Sequence, residues 1–501
     1  MRWIRFAALI LCLTSCGGDN PSSSSSWSQL AAKCATPRTG IDPATNQPYP
    51  DRAGTLDDEK KFLRAWTDDL YLWYREVPAV DPAPYTSSTD YFAVLKTTAK
   101  TASGADKDRF HFWDTTAHWT ALSQSGVEAG YGVTWVIRAR TPPREVVAAY
   151  NEPGSPAADP ANNVNRGAHV LTVDGADLVN GSDQATVDKL NAGLFPATAG
   201  ETHTFTILDN GSTTSRTVTM QSKNVTSVPV QNVHSIPTAT GKVGYMLFND
   251  HLATAEGALI TAVNQLKTDA ITDLVLDIRY NGGGYLAIAS ELAYMIAGPA
   301  QTGGKVFERL AFNDKHPSTD PVTGRALTPT PFYNTTLGFS ASSGAPLPSL
   351  GLPRVFVLTG SGTCSASESI LNGLAGVDVQ PIQIGSTTCG KPYGFYPQDN
   401  CGITYFSVQF KGVNAKGFGD YADGFVPGAT TAGSLAGCRV ADDFGHALGD
   451  AAEARLAAAL AYRTSPTCPA PTASSALSYG ELRGEGEVIK SIWRQNRIVQ
   501  R

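Results

Sequence analysis

The chain has 501 residues, of which 42% are apolar and 17% charged, with a formal net charge of -6. That length allows several domains, and the composition is that of globular material rather than of a disordered or fibrous chain. No run of Lys and Arg stands out in a mildly acidic sequence, which argues against nucleic acid as a partner.

The chain starts with a positive segment, Arg2 and Arg5, followed by an apolar run from Phe6 to Leu13. The run is too short to span a bilayer as a helix and reads as an export signal. Leu13-Thr14-Ser15-Cys16 resembles the lipobox of bacterial lipoproteins, in which the cysteine is acylated and the chain is cut just before it. The resemblance implies a signal peptide over 1–16 and a membrane anchor on Cys16. With Gly17 rather than Asp next, it implies an outer-membrane location facing the periplasm. An ordinary signal peptide with a chance cysteine is the alternative. Residues 17–55 read as a tether, rich in Gly, Ser and Pro at its start. No later stretch is apolar enough to span a membrane.

Six further cysteines, at 34, 364, 389, 401, 438 and 468, would sit in an oxidising compartment where disulfides persist. None has zinc-ligand spacing, so no metal is expected. Cys389 and Cys401 flank a Gly/Pro/Tyr-rich turn and are the first candidate pair, with Cys438 and Cys468 the second. Spacing alone leaves the connectivity open.

Asp57 to Val77 reads as an amphipathic helix, capped by Asp57, with Phe62, Trp66, Leu70, Trp73 and Val77 on one face. A second helix is expected over Ser88 to Lys100, giving a small helical domain over 56–120. From Gly126 the texture changes to short β-prone runs: Val133–Ile137, His169–Val173, Thr204–Leu208 and Thr217–Met220, punctuated by Asp174-Gly175 and Asn210-Gly211. Together with Gly154-Ser155-Pro156-Ala157 and Arg166-Gly167, this stretch, 121–228, resembles a PDZ domain. There the backbone of a Gly-containing loop, here Gly130, Tyr131, Gly132 and Val133, would receive a peptide's terminal carboxylate beside an added strand. A generic small β domain is the alternative.

From Gly241 strands alternate with helices. Strands are expected at Val243–Phe248, Asp273–Arg279 and Arg354–Thr359, and helices at Thr254–Lys267, Tyr285–Ala297 and Ala366–Leu374. The alternation implies an α/β core over 229–468, with chemistry gathered where strands end and helices begin. Two glycine-rich junctions lie at such ends. In Asp277-Ile278-Arg279-Tyr280-Asn281-Gly282-Gly283-Gly284, the glycines allow a tight turn and free N–H groups at a helix start. That suits an oxyanion hole, a phosphate or a mere turn. The second, Thr359-Gly360-Ser361-Gly362-Thr363-Cys364-Ser365-Ala366-Ser367-Glu368, sets Ser365 on an elbow. Gly385 to Lys391 begins like a phosphate loop. Pro392 stands where Ser or Thr should follow, and the Pro/Tyr/Gly run after it cannot continue as a helix, so nucleotide binding is disfavoured.

Asp-Ile-Arg-x-Asn-x-Gly-Gly, then Ser-Ala-Ser-Glu, then Gly-Lys, in that order, resembles the signature of the C-terminal processing, or tail-specific, serine peptidases. The likeness runs from about Leu56 to Tyr462. It implies a multidomain α/β (α+β) fold: a helical domain, a PDZ-like domain and an α/β core of the ClpP/crotonase-like type. It implies Ser365 as nucleophile, Lys391 as general base, and the N–H groups of Gly283 and Ala366 as oxyanion donors. The substrate would be a protein or peptide cleaved near its C-terminus, with no cofactor. Chemically, a serine needs a base to take its proton, and a lysine serves only when neutral. A fall of roughly 3 units from its reference of about 10.4 would cost about 4 kcal/mol, supplied by an apolar site.

Two positions depart from the family pattern. Phe395 stands where a Gln or Glu usually orients the lysine, and Cys364 precedes the nucleophile where an alanine is common; Cys364 is expected as a small buried thiol, and Glu368 as structural. His111, His118, His251 and His446 are the alternative bases, His251 being the one expected near the site. Asp442-Asp443 reads as capping and solvation before a helix over Ala451 to Tyr462, and 469–501 as a peripheral tail. A non-catalytic peptide- or apolar-ligand-binding lipoprotein is the rival reading, favoured by Phe395.

Overall fold

Thr55 accepts the N–H of Asp58 while Asp58 accepts that of Thr55, a reciprocal cap that starts helix α1 (Leu56–Leu70). The cap is therefore Thr55, not Asp57. The computed structural model describes residues 26–43, 45–428, 433–469, 487–489 and 497–498. Cys16 and the export signal lie outside the described residues. Among those described, no helix is long and apolar enough to cross a membrane.

The face of α1 buries Phe62, Leu63, Trp66 and Leu70 against Tyr91, Phe92 and Leu95. The second helix, α2 (Ser88–Ala93), is shorter than expected. Thr97 binds tertiary partners instead: its N–H donates to Tyr71 Oη and its hydroxyl to Glu76. Phe112–Thr115, read as part of a helical domain, is a strand pairing with Ile403–Phe406 of the core. Its partner is far away in sequence, so no local pattern could announce it. It joins the N-terminal domain to the segment that carries Lys391.

The β-rich domain holds β1 (Val133–Ala139), β2 (Glu145–Asn151), β3 (His169–Val173), β4 (Thr202–Leu208) and β5 (Ser215–Gln221). They lie in the order β5-β4-β3-β2-β1, with helix α3 (Gln184–Leu194) packed on them. Alternation along β5 buries Val218 and Met220 and exposes Thr217, Thr219 and Gln221.

The core sheet comprises β6 (Val230–Thr238), β7 (Gly241–Phe248), β8 (Asp273–Asp277), β9 (Arg354–Thr359), β10 (Gln380–Gly385) and β11 (Gly437–Arg439), in that spatial order. Only the β6–β7 pair is antiparallel. Helices α4 (Ala255–Thr268), α5 (Leu286–Ala297) and α6 (Ala366–Gly376) cover one face through Leu259, Val263, Leu292, Ile296, Ile370 and Leu371. Helix α7 (Ala454–Thr464) contributes Leu456 to the other face. Burial on both faces explains the continuous apolar runs of β8 and β9.

Among the described residues three disulfides are present: Cys34–Cys401, Cys364–Cys389 and Cys438–Cys468. The second expected pair forms; the Cys389–Cys401 pair does not. Cys401 is taken by Cys34, and Cys389 by Cys364, because the fold lays the loop before Lys391 against the Ser365 elbow. Asp442 is not a solvated cap. Its side chain is buried, accepting from Arg166 and Arg279, and Arg279 also pairs with Asp277 and Glu453. The guanidinium groups hold the Asp442 carboxyl far below its ordinary range against the opposing effect of burial. Glu453 caps α7 three residues later than expected.

Candidate active site

Strand β9 delivers the chain to Thr359, and the backbone then turns through Gly360 to Cys364. Thr363 fixes the turn, accepting the N–H of Gly360 and donating to the carbonyl of Ile278. Ser365 follows at φ 60°, ψ -115°, outside the regions open to most L-residues, and Ala366 opens α6. Such a conformation costs roughly 1–3 kcal/mol and persists only when its surroundings hold it. It sets the serine at the N-terminus of a helix, where the dipole favours a developing negative charge.

The other junction is stitched to this one through Asn281. Its carbonyl accepts the Cys364 N–H at 3.1 Å and the Ser367 hydroxyl at 3.0 Å. Its side-chain amide donates to Phe248, and its Oδ1 accepts the N–H of Gly283 at 3.0 Å. The expected oxyanion donor Gly283 is thus committed to a side chain in this conformation. The Ala366 N–H, at the first turn of α6, has no acceptor within its helix. Gly284 has φ 133°, and a Cβ there would stand 2.5 Å from the carbonyl oxygen of His251, so only glycine fits.

Glu368, one turn into α6, ties the serine elbow to the lysine loop. Its carboxylate accepts the N–H groups of Ser365 (2.9 Å), Gly390 (2.8 Å) and Lys391 (2.8 Å), and the hydroxyl of Thr388 (2.5 Å). Burial pushes its pKa upward, and these donors pull it back down. The Cys364–Cys389 disulfide adds a covalent link between the same two loops.

Lys391 is completely buried. Its Nζ stands 4.8 Å from the ring centroids of both Phe110 and Phe395. Phe395 is itself held edge-on against Phe112 and Phe406. The position that lacked a polar partner thus supplies one wall of an aromatic clamp, and the N-terminal domain supplies the other. Ring faces attract a cation.

Ser365 is fully buried, and its Oγ has no hydrogen-bond partner among the described residues. Ser365 and Lys391 are therefore brought into one buried site without a hydrogen bond between them. His251 is buried beside the first junction, its Nδ1 3.0 Å from Asn281 Oδ1. His111, His118 and His446 hydrogen-bond with Phe92, Asp114 and Asp443. The loop Gly130–Val133 lines a cavity of about 330 Å³ with Trp135, Leu194 and Phe195. Tyr131 turns inward, its hydroxyl donating to the Gly193 carbonyl. Phe110 and the Cys364–Cys389 link were not legible in the sequence, since neither has a local signal.

Residues 242–394, which include both junctions, Ser365 and Lys391, match Peptidase family S41, and residues 58–112 match the Peptidase S41 N-terminal domain. The chain carries peptidase family S41 domains. A carboxyl-terminal-processing protease of Picosynechococcus sp. (strain ATCC 27264 / PCC 7002 / PR-6) is 30% identical over 174 residues, which cover 34% of this chain and 39% of that protein. The chain thus matches well under two thirds of that relative. A solved structure from Bacteroides fragilis NCTC 9343, assigned to the S41 proteases, aligns with a TM-score of 0.61 at 22% identity. It covers 84% of this chain and 98% of its own, a likeness of fold. The mixed α/β, multidomain architecture agrees with it.

Proposed function

We propose that the protein is a serine endopeptidase in which Ser365 attacks the scissile carbonyl and Lys391 accepts and returns the proton. The observation that carries this reading is the convergence on Glu368. One buried carboxylate holds the backbone of Ser365 and of Lys391, so the serine elbow and the lysine loop are positioned as a unit. The S41 match over the same residues supports it. The Ala366 N–H would serve as one oxyanion donor. Gly283 would serve as the other after its N–H leaves Asn281, a peptide flip that its glycine backbone allows at φ 106°. A matching shift of Lys391 would bring its amine to Ser365.

The substrate of this reading is an extended protein or peptide segment, cleaved near its C-terminus. The cavity beside Gly130–Val133 would receive the terminus and the neighbouring edge of β1 the strand, in the manner of a PDZ domain. On sequence alone we propose that Cys16 carries a lipid anchoring the protein in the cell envelope; palmitate labelling of wild type but not Cys16→Ala checks it. A second reading, a peptide binder that does not cleave, is favoured by the unengaged Ser365 Oγ. The two are separated by incubating wild type, Ser365→Ala and Lys391→Ala with casein. Loss of cleavage in both variants supports the peptidase; identical behaviour of all three proteins removes it.

A further inference from the structure

The edge strand of the β-rich sheet is not open. Glu487–Ile489, from the tail expected to be peripheral, runs antiparallel along β1, pairing Glu487 with Ile137 and Ile489 with Trp135. Glu487 also forms an ion pair with Arg140. Val488 is buried in the apolar cluster shared by Val136, Tyr150, Tyr280 and Leu358. Its Cγ2 closes on Gly362, where a Cβ would meet it at 3.0 Å, three residues before the nucleophile. Glu487 and Val488 form part of the wall of a cavity of about 480 Å³ that reaches Gly362, Cys364, Thr388 and Cys389.

The same tail returns to the site a second time. Arg497–Ile498 pairs in parallel with Gly284-Tyr285, directly after the oxyanion junction. The other edge of Gly284-Tyr285 is bridged by His251. An extended substrate would need one free edge beside the oxyanion junction and another along β1. The tail takes both, and Ser365 and Lys391 are left without exposure.

We propose that this C-terminal segment is a built-in inhibitor: it occupies the strand slots of the substrate and holds the site closed until it is displaced. This rests on the peptidase reading above. The arrangement is effective because a tethered segment competes at an effective concentration on the order of millimolar, whereas a free substrate must displace it from solution. Among the described residues, a three-residue ladder, the Glu487–Arg140 ion pair and the buried Val488 hold this strand, a short hold compared with the sheet it joins, so it is releasable. Val488→Asp would place a charge in that apolar slot.

The test uses the full chain with Val488→Asp, with Val488→Ile as a conservative control and melting temperature to confirm the fold. Amide exchange at Val133–Ala139 and Gly284 is expected to quicken at least about tenfold in Val488→Asp only. Casein cleavage, as kcat/KM, is expected to rise by at least about fivefold. A synthetic peptide with the sequence of residues 484–501 is expected to suppress that gain in trans. Unchanged exchange in a folded variant overturns the docking, whatever the activity. Loosened exchange with unchanged cleavage overturns the inhibitory role while the peptidase reading stands. Loosened exchange with no cleavage by any form removes the peptidase reading and, with it, the inhibition. Loss of tail residues from wild type but not from Ser365→Ala marks the tail as a substrate instead and overturns the proposal.

Discussion

Removing the carboxylate of Glu368 should separate the serine elbow from the lysine loop. In Glu368→Ala, four donors lose their acceptor: the N–H groups of Ser365, Gly390 and Lys391, and the Thr388 hydroxyl. A buried donor left unsatisfied costs about 1–3 kcal/mol. At the lower end the four sum to about 4 kcal/mol, and water entering the vacated space recovers part of it. Losing the carboxylate's own burial cost offsets a further part, so a net loss of about 2–4 kcal/mol is expected. Glu368→Gln is milder. With its oxygen towards Ser365 and Lys391, its amide donates to the Thr388 oxygen, and two of the four donors, the Gly390 N–H and the Thr388 hydroxyl proton, lose their acceptor, for about 2 kcal/mol at the lower end. Thermal unfolding should therefore rank wild type above Gln above Ala, the Ala variant melting about 2–4 °C lower. Casein cleavage by Glu368→Ala should fall about a hundredfold, since a misplacement of about 1 Å costs that much. An Ala variant that melts and cleaves like wild type would falsify the claim that Glu368 joins the two loops. A Gln variant as impaired as Ala would refute the donor count.

Other consequences are equally concrete. Replacing both Cys364 and Cys389 by alanine opens a loop with a sequence separation of 25. It should cost about 3–4 kcal/mol on the chain-entropy account, with a drop in kcat larger than any change in KM; urea unfolding and casein kinetics of the two proteins check both. Phe395→Leu removes one wall of the lysine clamp and should lower kcat roughly 2- to 30-fold, the kinetic equivalent of one cation–π contact; a rate equal to wild type would mean the ring positions nothing. Glu291 is pushed from 4.5 up to about 8, first by burial and then by the charge of Glu256. Its folded pKa lies above its unfolded one, so its contribution is full below about pH 4.5 and is lost as pH rises towards 8. The loss is on the order of 5 kcal/mol at about 1.36 kcal/mol per unit. Urea unfolding of Glu291→Gln should lack that decline, and parallel curves for the two proteins would count against it. Arg279→Ala leaves the buried Asp277 and Glu453 carboxylates without their arginine, while Asp442 keeps Arg166, and should destabilise by about 3–5 kcal/mol; urea midpoints compare the two.

The sequence by itself determined the strand-helix alternation from Gly241 onward, because residues buried on both faces must be apolar in runs and turns must carry glycine. It also determined the two junctions, since only glycine can take the backbone past His251 at Gly284, and it marked Ser365 by its elbow. Tertiary structure decided what no local pattern encodes. Cys34 reaches Cys401, and Phe112–Thr115 pairs with Ile403–Phe406, across most of the chain. Phe110 comes from another domain to face Lys391. A side chain's sequence neighbours do not fix its spatial partners: Asp442 looked solvated among polar residues, yet two arginines distant in sequence bury it. The tail looked peripheral for the same reason. A short strand of modest apolarity finds its place only when an unpaired edge, here β1, has been built by the rest of the fold.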